Sequence, residues 1–257
     1  MGQPEREEEE RPIYDRIGVG YTSRRGTDPT IFRQIEAALA GCTTVLNVGA
    51  GTGSYEPAAC TLAVEPSRRM IEQRAVGRAR CIQASAEKLP LEDKSFDGAL
   101  ACLTIHHWTD VAAGLAEMRR VARKRVVLFT WDPEFRLNFW LTRDYFPAIA
   151  KLDRPRFPTL PQLQSWLGRA EVQAVPIPAD CEDAFIGAFW KRPAAFLDPA
   201  VVQANSAMAL LEPTALQEGL GRLEADLRSG VWARRNGELE GLREFDLGYR
   251  LVVGEAG

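Results

Sequence analysis

The chain has 257 residues, 46% of them hydrophobic, and a formal net charge of −3, with a pI near 5.6. That is enough apolar content for one sizeable core, and the length suits a single α/β domain with an insertion or two small domains. The weakly acidic balance excludes the overall positive field that draws proteins onto nucleic acid.

Five cysteines, at 42, 60, 81, 102 and 181, are odd in number and widely spaced, with no C-x-x-C. They read as reduced thiols rather than a disulfide framework or a metal site. Residues 1–27 read as a tail and leading segment. Glu5 and Glu7 to Glu10 surround Arg6 with no apolar run, so no secretory signal is expected there. No stretch reaches the roughly 18 apolar residues of a membrane span. A cytoplasmic protein with no membrane and no nucleic-acid partner is the expectation. Tyr14 and Tyr21 flank a glycine-containing turn and are candidate substrate contacts.

Asp28-Pro29 then opens a helix, with Asp28 as N-cap and Pro29 in the first turn. Ile31, Ile35 and Leu39 give it one apolar face. From there short apolar runs alternate with amphipathic stretches. Strands are expected at 45–48, 62–65, 79–84, 98–105 and 126–130, with helices led by Ser67 and over 110–121. Near-continuous apolar strands separated by helices predict a doubly wound parallel sheet. Residues 131–160 break the pattern with Trp131, Phe135, Phe139, Trp140, Tyr145, Phe146 and Phe157. A helix at 160–167 and a sixth strand at 172–177 follow, and 249–253 reads as the last strand. The division expected is a core over 28–177, a helical cap over 178–245 and a final core strand within 246–257. Phe185, Phe189, Trp190 and Phe196, then Leu210 to Leu227 at helical spacing, give that cap an apolar face. The face is expected to roof a pocket at the open edge of the sheet. An oligomer interface is the rival reading, and the oligomeric state stays open.

The strongest chemical signal is Val45-Leu46-Asn47-Val48-Gly49-Ala50-Gly51-Thr52-Gly53. A strand runs into a glycine turn at the carboxyl edge, where open α/β sheets bind ligands. A dinucleotide fingerprint would need glycine at position 54, which is Ser54; this disfavours an NAD-linked oxidoreductase. The second strand ends in Glu65, followed by Pro66, and a carboxylate there can accept from both hydroxyls of a ribose.

These residues, with Ser85-Ala86-Glu87-Lys88-Leu89-Pro90 and Ser95-Phe96-Asp97, resemble the class I S-adenosylmethionine (SAM)-dependent methyltransferases. The similarity covers about residues 30–131 and is to the small-molecule branch that includes quinone and trans-aconitate enzymes. It implies a seven-stranded, mostly parallel Rossmann-like sheet, six strands parallel and the last antiparallel, with an added helical cap. It also implies SAM as cofactor, S-adenosylhomocysteine as product and a small-molecule acceptor methylated at O, N, C or S. By resemblance, Asn47, Gly49, Ala50, Gly51 and Gly53 approach the methionine and ribose, and Glu65 with Pro66 lies at the ribose diol. Ser85, Ala86 and Glu87 flank the adenine, and Leu103 sits near the methyl end. Asn47 replaces the acidic residue usual in the family, and the helix between Gly53 and Glu65 is expected to be one or two turns long.

The two histidines of the chain fall in Ile105-His106-His107-Trp108. Read as extended, they point to opposite faces and cannot chelate one ion, so no metal is expected. A packing role is one reading. The other is a base near the methyl group, with His107 ahead of His106 and with Trp108 and Trp131 contacting substrate. The remaining alternatives are a SAM-binding protein catalysing another reaction such as cyclisation, and a methyltransferase-like protein that has lost transfer. A nucleic-acid methyltransferase is disfavoured by the absence of a basic surface.

Overall fold

The protein's structure, a computed structural model, describes Asp15, residues 26–135 and residues 137–257. Tyr14 and Tyr21 lie outside the described residues.

Helix α1 (Pro29–Ala38) begins as its sequence dictates: the Asp28 carboxylate accepts from the N–H groups of Thr30 and Ile31. Seven strands then form the main sheet: β1 (Val45–Val48), β2 (Cys60–Glu65), β3 (Cys81–Gln83), β4 (Phe96–Cys102), β5 (Ala122–Trp131), β6 (Ala170–Ala174) and a last strand, Tyr249–Glu255. Their spatial order is β3-β2-β1-β4-β5, then the last strand, then β6. Only the last strand runs antiparallel to its neighbours, β5 and β6. The sixth strand is shorter than predicted because Val175-Pro176 bends the chain away. Ile177–Pro178 (β7) pairs instead with Glu244–Phe245 (β8) in a separate ribbon, which makes Tyr249–Glu255 β9.

The strand pleat sends alternate residues to two cores. On β5, Val126 and Leu128 meet helices α3 (Val111–Val121) and α5 (Leu160–Leu167) through Leu115, Met118, Leu163 and Leu167. Val127 and Phe129 point the other way, into a core shared by α1 and the aromatic residues of 139–202. The cap segments therefore pack in one continuous apolar core with the sheet. Between β2 and β3 lies α2 (Arg68–Glu72), N-capped by Ser67.

Two expectations of local structure do not hold. No helix forms between Gly53 and β2; that stretch is a series of turns, where Pro57-Ala58-Ala59 leaves too few residues to nucleate one. The cap expected to be helical over 178–245 does not begin with a helix either. The region after β7 folds as 3₁₀ turns at Ile186–Phe189 and Pro193–Leu197, short helices α6 (Pro199–Ala204) and α7 (Ser206–Ala209), then α8 (Pro213–Arg228) and α9 (Val231–Asn236). Before β6, α4 (Pro147–Asp153) follows a single π-helical turn at Leu141–Tyr145.

Candidate active site

The carboxyl ends of β1, β2 and β4 come together at one edge. Gly49, Gly51 and Gly53 all have positive φ (66°, 51° and 96°), a conformation glycine adopts without penalty. The first two serve different ends. A Cβ on Gly49 would stand 2.2 Å from Thr104 Oγ1, so this glycine lets the β1 turn close on the β4 turn. A Cβ on Gly51 would meet only Met70 Cε at 3.4 Å, leaving its other sides open to a ligand. Ala50 is buried, and its N–H and that of Gly49 donate to Val64 O.

Glu65 is buried where β2 ends. One carboxylate oxygen accepts from Gly51 N at 2.8 Å and the other from Ser67 N at 2.9 Å. Burial pushes its pKa up, against the lowering effect of those two N–H groups. Each oxygen keeps a lone pair, so both can still take a ribose hydroxyl. Pro66 is half-buried beside it, its carbonyl accepting from Gln83 Nε2.

Asn47 is buried and donates to Glu56 Oε2 at 3.3 Å. Glu56 in turn pairs with Arg74 at 2.6 Å, both side chains nearly inaccessible, and accepts from Ala79 N at 2.7 Å. The carboxylate missing at 47 is thus replaced nearby by one already neutralised. Sequence reading missed this pair, since neither residue lies in a recognisable motif.

Ser85 is exposed and Ala86 buried, in the turn after β3. Glu87 accepts from Thr109 N at 2.8 Å and Asp110 N at 3.3 Å, tying this turn to the start of α3. Leu103 follows β4 with a left-handed φ of 48°, a strain of about 1–2 kcal/mol. A 2.7 Å bond from its N–H to Phe129 O holds it.

Leu103 also lines a cavity. Trp131, Phe139, Phe157, Phe185 and Tyr249 supply aromatic walls, and His106, Thr142, Asp153, Asn205 and Ser206 supply polar groups. Of the aromatic cap residues expected to roof it, Phe185 does so. Trp190 is fully buried, its indole N–H donating to Ile177 O at 3.0 Å. The apolar face of α8 is turned toward the turn at Leu141–Tyr145 rather than the cavity, and there Tyr145 Oη donates to Asp226 and Arg222 to Tyr145 O.

Residues 105–107 form a 3₁₀ turn, not an extended segment. The two imidazoles consequently lie together, centroids 3.9 Å apart. His106, not His107, lines the cavity, stacked on Phe157 at 4.3 Å. His107 Nδ1 lies 3.0 Å from Arg156 Nη2, on which it acts as acceptor. Trp108 packs against the core under α3, on the other face of the sheet from the cavity, and does not line it. Trp131 lines the cavity, fixed by a 2.8 Å bond from its indole N–H to Leu247 O.

Asp153, the last residue of α4, was not foreseen. It lines the cavity with a side chain 11% exposed, 3.6 Å from Arg156 Nη1. Burial pushes its carboxyl up to about 6, with Arg156 opposing. A lone Asp at the end of an ordinary amphipathic stretch carries no sequence signal.

Among the described residues, no group of three or more His, Cys, Asp or Glu is gathered to hold a metal. None of their helices is long and apolar enough to cross a membrane.

Comparison with known proteins agrees with the sheet order and the glycine edge. Residues 46–130 match the methyltransferase domain family. A solved structure of a putative methyltransferase from an antibiotic biosynthesis pathway of Anabaena variabilis is 34% identical, covering 90% of this chain and 98% of its own, with a TM-score of 0.83. A demethylmenaquinone methyltransferase of Roseiflexus sp. (strain RS-1) is 27% identical over 209 residues, 69% of this chain and 83% of that protein. The [4+2]-cyclase SpnF shares the fold alone, at 16% identity and a TM-score of 0.50. The fold and its glycine edge define a class I enzyme of the SAM-dependent type. The chain belongs to the class I SAM-dependent methyltransferases, with similarity to their quinone-methylating members.

Proposed function

We propose that this enzyme methylates a small, largely apolar molecule held in the cavity behind Leu103. The observation that carries this reading is the position of Leu103 itself. It follows β4 and forms part of the cavity wall, and the next residue, Thr104, packs on Gly49, so this one turn borders both half-sites.

On this reading Gly49, Ala50, Gly51 and Gly53 present backbone to the methionine and ribose of SAM, with Asn47 beneath. Glu65 takes the ribose hydroxyls next to Pro66, and Ser85, Ala86 and Glu87 border the adenine. Bound SAM supplies a methyl group already activated on a sulfonium, so the chain needs no nucleophile of its own. Its residues have instead to align an O, N, C or S atom of the acceptor with the methyl group and to exclude water. The aromatic walls suit that task. His106 faces the acceptor, whereas His107 is a positioning residue acting through Arg156. The quinone in the name of the Roseiflexus relative is consistent with a flat apolar acceptor.

The test is methyl transfer from labelled SAM to 1,4-naphthohydroquinone, alongside calorimetry with S-adenosylhomocysteine and NAD. Label in the naphthalene ring system or its oxygens, and heat from S-adenosylhomocysteine alone, are expected. Tight NAD binding with S-adenosylhomocysteine silent would overturn the reading.

A further inference from the structure

Three polar groups of the cavity wall can only accept. Asn205 spends both amide hydrogens, on Ala184 O at 3.2 Å and Val201 O at 2.8 Å. Only its carbonyl oxygen is left to offer a ligand. Thr142 donates its hydroxyl hydrogen to Phe139 O at 3.0 Å, so toward a ligand it too can only accept. Asp153, ionised, is acceptor-only. Among the described residues Ser206, His106 and the Tyr249 hydroxyl also line the wall and can donate as well as accept, the last accepting from Gly187 N at 3.2 Å. Apolar aromatic walls with a buried carboxylate and two further acceptors suit a molecule that is flat, apolar and a hydrogen-bond donor.

We infer that Asp153 is the residue that selects the acceptor, binding a ring hydroxyl and receiving its proton as the methyl group is transferred. The inference rests on the cavity being the acceptor site. A hydroxyl fits better than an ammonium because of what surrounds the carboxylate. The Arg156 guanidinium already stands 3.6 Å away, itself bonded to His107 Nδ1. An ammonium ion placed on Asp153 would sit beside that like charge, whereas a neutral hydroxyl would not. Among the described residues, the other titratable groups that line the cavity are His106 and Tyr249.

The step balances. The hydroxyl oxygen forms its bond to the methyl carbon, the carbon–sulfur bond breaks and leaves a neutral thioether, and the hydroxyl proton passes to the Asp153 carboxylate. A carboxyl group poised near 6 is mostly ionised at neutral pH and can accept that proton as the hydroxyl loses basicity in the transition state.

Binding of three naphthalene probes, followed by quenching of tryptophan fluorescence in the whole protein, tests this without turnover. The probes are naphthalene, 1-naphthol and 1-naphthylmethylamine, which is cationic at neutral pH. The expected result is that 1-naphthol binds roughly ten-fold or more tightly than naphthalene at pH 8, in line with a hydrogen bond to a charged acceptor. That preference should shrink as pH falls through about 6. Asp153→Asn should lose most of the preference and its pH dependence, while naphthalene and S-adenosylhomocysteine bind as before, which shows that the variant is folded. A preference unchanged by pH and by Asp153→Asn would overturn the assignment of Asp153. So would tighter binding of the naphthylmethylammonium ion than of 1-naphthol. If no probe binds, the acceptor-site reading itself fails, and the role of Asp153 with it.

Discussion

The edge proposed to hold the cofactor and the cavity proposed to hold the acceptor are built by opposite means. At the edge, the functional groups are mainly backbone, supplied by short stretches at strand ends: Gly49 to Gly53, Glu65 to Ser67, Ser85 to Glu87. Each stretch is placed by the pairing of its own strand, and Glu65 is aimed by two neighbouring N–H groups. The cavity instead gathers side chains from Leu103 to Tyr249, held by packing among residues far apart in the chain. Backbone geometry set by a sheet survives sequence drift, so an edge of this kind can be shared by many enzymes. A cavity made of side chains can change its ligand one residue at a time.

The largest effect expected belongs to the side-chain region. Trp190 is fully buried and bonds the carbonyl of Ile177. Trp190→Ala should therefore cost about 3–5 kcal/mol of stability, measured by urea unfolding. An unchanged midpoint would mean that the cap is not part of the common core. Ile186, by contrast, touches the cavity, so its truncation should alter ligand range with a much smaller stability loss.

On the backbone side the effect is smaller and falls on binding. Glu65→Ala should weaken S-adenosylhomocysteine by about 1.5–3 kcal/mol, the range for hydrogen bonds to a charged group. Glu65→Gln keeps an oxygen for one N–H and should lose less. Equal calorimetric affinities for wild type and Glu65→Ala would restrict the carboxylate to holding its own loop together.

The contrast also explains what the sequence made legible. The sheet and the glycine turn follow from local patterns, apolar runs and glycines where φ is positive, whereas the antiparallel last strand was implied by the resemblance alone. Glu65 was readable because a charge closing an apolar strand is conspicuous. The His-His turn misled because extended and 3₁₀ backbone cannot be told apart in a three-residue segment, and the choice between them decides which imidazole meets the cavity. Asp153, Arg156, Thr142 and Asn205 were invisible for a different reason. Their roles arise from tertiary neighbours, and the π-helical turn that carries Thr142 leaves no compositional trace. Trp190 and the leucines of α8 showed that something apolar had to be covered, but not which part of the common core they would cover.

The central claim is that donor and acceptor occupy separate half-sites that meet at Leu103. The most direct measurement is S-adenosylhomocysteine calorimetry on two variants in parallel, Gly51→Val and Ile186→Trp. Gly51→Val puts a branched side chain where φ is 51° and the space otherwise lies open to ligand; Ile186→Trp fills the acceptor cavity. The expected outcome is that Gly51→Val no longer binds S-adenosylhomocysteine while Ile186→Trp binds it like the wild type and takes up no 1-naphthol. Loss of S-adenosylhomocysteine from Ile186→Trp, with Gly51→Val unaffected, would contradict the account.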